Sequence, residues 1–291
     1  MYKLAPKFRT AILFVALLFG TASQGGVHVV TTIKPLQLIV KAVIGEHGTV
    51  TALLTENSPH SYALTPSDRI ALGEADLVLW VGKELETFIE GAIGQLRDQT
   101  TVLTVLDFQD LNRLLLENGQ PDPHVWLDTR NALQIARTIS RELEQIDSGN
   151  QLIYRQNFAA FEHQLELTEG ELLRVTASLL TTPFIVHHNA YQYFEQQIGI
   201  NHAFALVLDL EIQPSIRHIL SVRDLIQQTQ PSCLLVEPDS SPATIDTFLS
   251  GYELNQLTVD LLGNQVPLDG NGYSQLMLNL ANDFVSCLAQ Q

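Results

Sequence analysis

The chain has 291 residues, with 32 Asp+Glu against 16 Lys+Arg and a formal charge of −16. A surface this acidic repels nucleic acid and anionic lipid and attracts cations only weakly and without selectivity. The length suits two compact domains of ordinary size.

The first 23 residues read as a signal peptide. Lys3, Lys7 and Arg9 give a basic start, Ala11 to Gly20 an apolar run, and Thr21-Ala22-Ser23 the small residues of a cleavage site. The apolar run is too short to span a bilayer. Without the segment, 13 Lys+Arg face 32 Asp+Glu. The expectation is a soluble, exported, periplasmic protein that does not bind nucleic acid and is a monomer.

Next comes an alternation of short apolar runs and helical patterns. Strands are expected at residues 27–33, 49–54, 76–81 and 101–105, with helices at 35–45, 66–74 and 84–95 between them. Thr65-Pro66-Ser67-Asp68 marks the start of the second helix, because Thr65 can cap and Pro66 suits the first helical position. No proline occurs from Arg130 to Thr182, and residues from about 150 to 180 carry apolar positions at helical spacing behind a cap at Asp147 or Ser148. About 30 residues of helix make a stiff connector about 45 Å long. Strands follow at 183–186, 204–208, 233–236 and 257–259, with helices at 191–198, 214–228, 242–251 and 273–288. This order predicts an α/β fold of two lobes with mostly parallel sheets. The N-terminal lobe is 27–148, the connecting helix 149–181 and the C-terminal lobe 182–291.

Three histidines stand in polar loops: His60 in Ser58-Pro59-His60-Ser61-Tyr62, His124 in Asp122-Pro123-His124-Val125-Trp126, and His188 in His187-His188-Asn189-Ala190-Tyr191. They are too far apart for a local zinc finger, so a shared site needs the finished fold to assemble it. Three imidazoles and one oxygen complete the tetrahedron that zinc favours. His60, His188 and Asp260 follow predicted strands, and ligands in open parallel sheets bind beyond the carboxyl ends of strands. Two ligands are then expected from each lobe, with the metal in the cleft and with release by spreading the lobes. His187 should point into its lobe or toward solvent. Asp209 and Glu211 read as solvated carboxylates, and His28, His47, His163, His202 and His218 as surface residues. Cys233 and Cys287 are the only cysteines. In an oxidising compartment such a pair forms one disulfide, worth about 4 kcal/mol for a loop this long. Two free buried thiols are the alternative, against which the export signal argues.

Six segments, in order, resemble the periplasmic zinc-binding proteins of ABC importers, the ZnuA family of metal-specific solute-binding proteins. They are SPHSYALTPSD (Ser58–Asp68), ADLVLWVGKELETF (Ala75–Phe88), PHVWLD (Pro123–Asp128), HHNAYQYFE (His187–Glu195), EIQPS (Glu211–Ser215) and CLLVEP (Cys233–Pro238). The resemblance implies zinc held by His60, His124, His188 and Asp260, delivery to an inner-membrane permease driven by an ATPase, and a Cys233–Cys287 pair as in Gram-negative members. The chain departs from the family twice. Its segment Leu114–Pro121 is short and lacks the histidines of the usual collecting loop, and Pro59 stands where some members carry an acidic residue. The fourth ligand is therefore Asp260 or water. Two rival readings keep part of this picture. A manganese or iron receptor would share the fold, but imidazole-rich sites favour zinc. A zinc hydrolase needs an open position beside a general base, and no HExxH occurs. The expectation is a binding protein and no enzyme.

Overall fold

The structure, a computed structural model, describes residues 26–54, 62–179, 183–208 and 212–288, together with Pro59 and Leu210. The signal segment 1–23, His60, Asp209 and Glu211 lie outside the described residues.

The N-terminal lobe runs β1 (Val27–Thr31), α1 (Lys34–Ile44), β2 (Gly48–Ala52), α2 (Pro66–Glu74), β3 (Leu77–Trp80), α3 (Glu90–Ile93) and β4 (Thr101–Thr104). Helices α4 (Thr129–Ile146) and α5 (Gln151–Thr176) follow. The C-terminal lobe runs β5 (Ile185–His188), α6 (Gln192–Ile198), β6 (Ala205–Val207), α7 (Ile216–Thr229), β7 (Cys233–Val236), α8 (Pro242–Leu249), β8 (Asn255–Thr258) and α9 (Gly272–Leu288). Each lobe holds a four-stranded, all-parallel sheet, in the orders β2-β1-β3-β4 and β6-β5-β7-β8. Central β3 and β7 are buried along their whole length and read as unbroken apolar runs, as a strand covered on both faces must. Edge strand β2, GTVTA, reaches a buried position only at Ala52.

Helix α2 starts as its sequence dictates. Thr65 Oγ1 accepts the Asp68 N–H, and the Asp68 carboxylate accepts the Thr65 N–H at 2.7 Å. Helix α4 buries Ala132, Ile135, Ala136, Ile139 and Leu143, one apolar stripe at helical spacing. Helix α5 connects the lobes and lies against α4, α9 and α1. Its 26 residues span about 39 Å, somewhat less than expected. The cap also differs: Asn150 precedes α5 without a side-chain cap bond, while Asp147 accepts the Asn150 amide and the Tyr154 hydroxyl, each at 2.7 Å. Cys233 and Cys287 form a disulfide that ties the start of β7 to the last turn of α9, with Cα atoms 5.7 Å apart.

The largest apolar core is continuous across both lobes, from Val29 and Ile39 through Tyr154 and Phe161 to Phe194 and Phe284. Smaller clusters cover the outer sheet faces, around Val30, Leu72 and Val78 in one lobe and Leu206, Leu234 and Phe248 in the other.

The helix expected at 84–95 is reduced to a 3-10 turn, Thr87–Ile89, and the single turn of α3. Gly91 and Gly94 weaken any longer helix here. The Glu86 side chain also turns inward, and its Oε2 accepts the Val81 and Gly82 N–H groups at 2.7 and 3.2 Å. Glu86 is fully buried, and burial pushes its carboxyl up to about 7 although the Thr32 hydroxyl and these two amides oppose the rise. A carboxyl raised above its unfolded-state value of 4.5 contributes stability below that pH and loses it as pH rises through about 7. Glu86→Gln keeps an acceptor for the amides and cannot ionise. The variant should melt higher than wild type at pH 8 and nearly with it at pH 5. Thermal unfolding at both pH values checks this, and an equal loss at both would contradict it.

Candidate metal centre

His124 sits in a loop that its own sequence closes. Asp122 Oδ1 accepts the His124 backbone N–H at 3.0 Å and lies 2.7 Å from His124 Nδ1. Pro123, fixed in φ, separates the two. Asp128 then caps α4 by accepting the Arg130 N–H at 2.8 Å. His188 is the last residue of β5, and Glu237 directly follows β7, the neighbouring strand. Chain connections leave β5 and β7 in opposite directions in this sheet order, so the pair lies at the topological switch point beyond the strand ends. His188 Nδ1 lies 3.1 Å from Glu237 Oε2.

The two histidines, 64 residues apart in sequence, have ring centres 5.4 Å apart and planes tilted by 58°. An imidazole bound to zinc through a bond of about 2.0–2.1 Å places its ring centre about 3.2 Å from the ion, so two on one tetrahedral ion lie about 5.2 Å apart. The observed spacing fits a shared ion. Asp260 lies two residues beyond β8 and accepts the Gln265 N–H at 3.2 Å. Its neighbour Leu261 accepts the Trp126 indole N–H at 3.0 Å, which ties the Asp260 segment to the His124 loop. Asp260 faces Asp283 of α9, whose carboxyl is pushed up to about 6 by burial and then by the Asp260 charge.

The family model described as zinc-uptake complex component A, periplasmic, matches residues 29–287. The chain belongs to the ZnuA family. The high-affinity zinc uptake system protein ZnuA of Yersinia pestis is 28% identical, over 96% of this chain and 97% of that one. Among solved structures, the periplasmic zinc-binding protein TroA of Treponema pallidum shares the fold with a TM-score of 0.80, 22% identity and coverage of 91% of this chain and 99% of that one. FpvC of Pseudomonas aeruginosa, solved with Mn2+, gives a TM-score of 0.78 at 18% identity, with coverage of 91% and 99%. The two-lobed α/β fold expected from the alternation is thus the family fold.

Of the four expected ligands, His124 and His188 meet directly, Asp260 joins them through Trp126, and His60 lies outside the described residues. The polypeptide carrying His60 leaves the carboxyl end of β2, where the Leu54 N–H bonds the Thr32 carbonyl at 2.9 Å. His187 turns into its lobe, with Nδ1 at 2.9 Å from Ser240 Oγ and 3.1 Å from Glu237 Oε2. His202 and His218, expected at the surface, are half-buried: His202 Nδ1 lies 2.7 Å from Glu195 Oε1, and His218 Nε2 lies 2.8 Å from the Leu206 carbonyl. Sequence reasoning missed Asp122 and Glu237. The carboxylate two residues before His124 and the Glu-Pro closing a buried strand were the available signals.

Burial alone would favour the neutral imidazole of His188, but the Glu237 charge, with Asp239 and Asp122 behind it, outweighs burial and raises its pKa. Zinc requires the neutral ring, so protons compete for it at higher pH than for a free imidazole. Zinc affinity should fall as pH drops from 7 toward 5, measured by competition with a chelator whose own proton binding is corrected for. A flat profile would remove imidazole from the site.

Proposed function

We propose that this chain is exported to the periplasm by residues 1–23, captures one zinc ion with His60, His124, His188 and either Asp260 or water, and delivers it to an ABC permease driven by its ATPase. The observation that carries the reading is the pair of imidazoles from distant loops, spaced as on one tetrahedral ion and each backed by a carboxylate. The relatives named for high-affinity zinc uptake support it over the whole chain. Among the described residues no helix is long and apolar enough to cross a membrane.

The lobes 27–148 and 182–291, with the connector 149–181, act as a frame that holds the donors ready. Little ordering is then left to perform when the ion arrives, and that favours tight capture. Binding is the whole task, and no bond in the cargo is made or broken. A nitrogen-rich donor set favours zinc over manganese.

Titration of metal-free protein with zinc and with manganese tests this. Zinc should saturate at one equivalent and bind more tightly than manganese. His124→Ala removes a nitrogen donor and should weaken zinc by orders of magnitude. Asp260→Ala leaves the nitrogens in place and opens a corner to water, so its loss should be smaller. Tighter binding of manganese than of zinc would overturn the cargo. Unchanged affinity in Asp260→Ala would leave three histidines and water.

A further inference from the structure

The cluster of His187, His188 and Glu237 brings two imidazoles and a carboxylate close enough to resemble a metal site of its own. Its hydrogen bonding says otherwise. Glu237 Oε1 accepts the Tyr191 hydroxyl at 2.6 Å. Oε2 lies 3.1 Å from each of His187 Nδ1, His188 Nδ1 and Ser240 Oγ. Both oxygens are engaged with donors, and a carboxylate so occupied has little capacity left for a cation. Glu237 is 7% exposed, so an ionised carboxylate there depends on these donors for the solvation that water would otherwise give.

We propose that Glu237 is a positioning residue for cargo binding: it holds His188 by Nδ1 and so presents Nε2 to the zinc. This rests on the zinc-receptor reading above. A ring whose Nδ1–H is committed to a carboxylate has its lone pair on Nε2, and such an outer partner fixes both tautomer and ring orientation. Asp122 stands in the same relation to His124, at 2.7 Å from its Nδ1. What distinguishes Glu237 is the depth of its support. The Tyr191 ring packs against Phe284 of α9, with centroids 5.8 Å apart. Ser240 Oγ accepts the Glu237 backbone N–H at 3.0 Å. The carboxylate is thus fixed before it fixes the histidine, and His187, next to the ligand in sequence, serves as one of its props.

The test uses the full exported chain in three forms: wild type, Glu237→Gln and Tyr191→Phe. Zinc affinity is measured by chelator competition, and the ring nitrogens of His188 are followed by 15N NMR in the metal-free protein. Glu237→Gln should weaken zinc by about 10–100-fold. His188 should change from a ring protonated on Nδ1 to a mixture of tautomers. Tyr191→Phe keeps the aromatic packing and removes only the hydroxyl, so it should shift both quantities less and in the same direction. It also supplies the answer if the glutamine variant does not fold. Wild type that takes up no zinc would sink the receptor reading itself. Wild type that binds zinc, with variants of unchanged affinity and an unchanged His188 spectrum, would overturn the role of Glu237. So would a His188 ring bound to the ion through Nδ1.

Discussion

Trp126 is bonded at both its side chain and its backbone to the C-terminal part of the chain. The indole N–H reaches the Leu261 carbonyl at 3.0 Å, and the Trp126 carbonyl accepts the Tyr273 hydroxyl at 2.6 Å. Both bonds are buried, where an unpaired partner is costly. They fix the His124 loop against the end of β8 and against α9, and so set how far His124 lies from His188. Bonds from the same loop reinforce them: Gln192 Nε2 donates to Asp122 Oδ2 at 3.1 Å, and the Tyr193 hydroxyl donates to the Asp122 carbonyl at 3.0 Å. By sequence His124 belongs to the first lobe. Its loop is bonded to both lobes, to the first through the Asp122 N–H and the Leu114 carbonyl at 2.9 Å.

That attachment bears on the expectation of two ligands on each lobe and release by spreading the lobes. His188 ends and Asp260 follows a strand of the C-terminal sheet, and the His124 loop is bonded to that lobe as well as to its own. A rigid separation of the sheets would break the Trp126, Tyr273 and Tyr193 bonds together and would also split a core that runs unbroken through α1, α4, α5 and α9. The long helix α5, packed against α1, α4 and α9, braces the two lobes.

What the sequence made legible followed from local rules. The alternation of apolar runs and helical periods located all eight strands within a few residues, and Thr65-Pro66-Ser67-Asp68 formed its capping box because every partner lies within four residues. The 84–95 segment misled because its apolar spacing looked helical, whereas Glu86 reaches back to the amides after β3 and two glycines offer little helix to oppose that. The Asp147 side chain closes the turn between α4 and α5 by accepting from Asn150 and Tyr154. Candidate ligands were readable as histidines in polar loops. Their carboxylate partners were harder: Glu237 is 49 residues from His188, and only the parallel pairing of β5 with β7 brings them together.

The placement of charge ties the fold to its cargo. A carboxylate buried without water needs hydrogen-bond donors, and at Glu237 these are a tyrosine, a serine and two histidines. In spite of burial, the charge that His188 carries when protonated and the bonds from this shell hold the Glu237 carboxyl below its usual range. Behind a neutral imidazole, that fixed negative charge makes the ring a stronger donor to a dication without spending a coordination position. The acidic outer surface draws cations of every kind, and selectivity must then come from the interior. Nitrogen donors at tetrahedral spacing, with their orienting carboxylates kept one bond away from the ion, meet that requirement more closely than carboxylates placed on the metal itself, which would suit manganese.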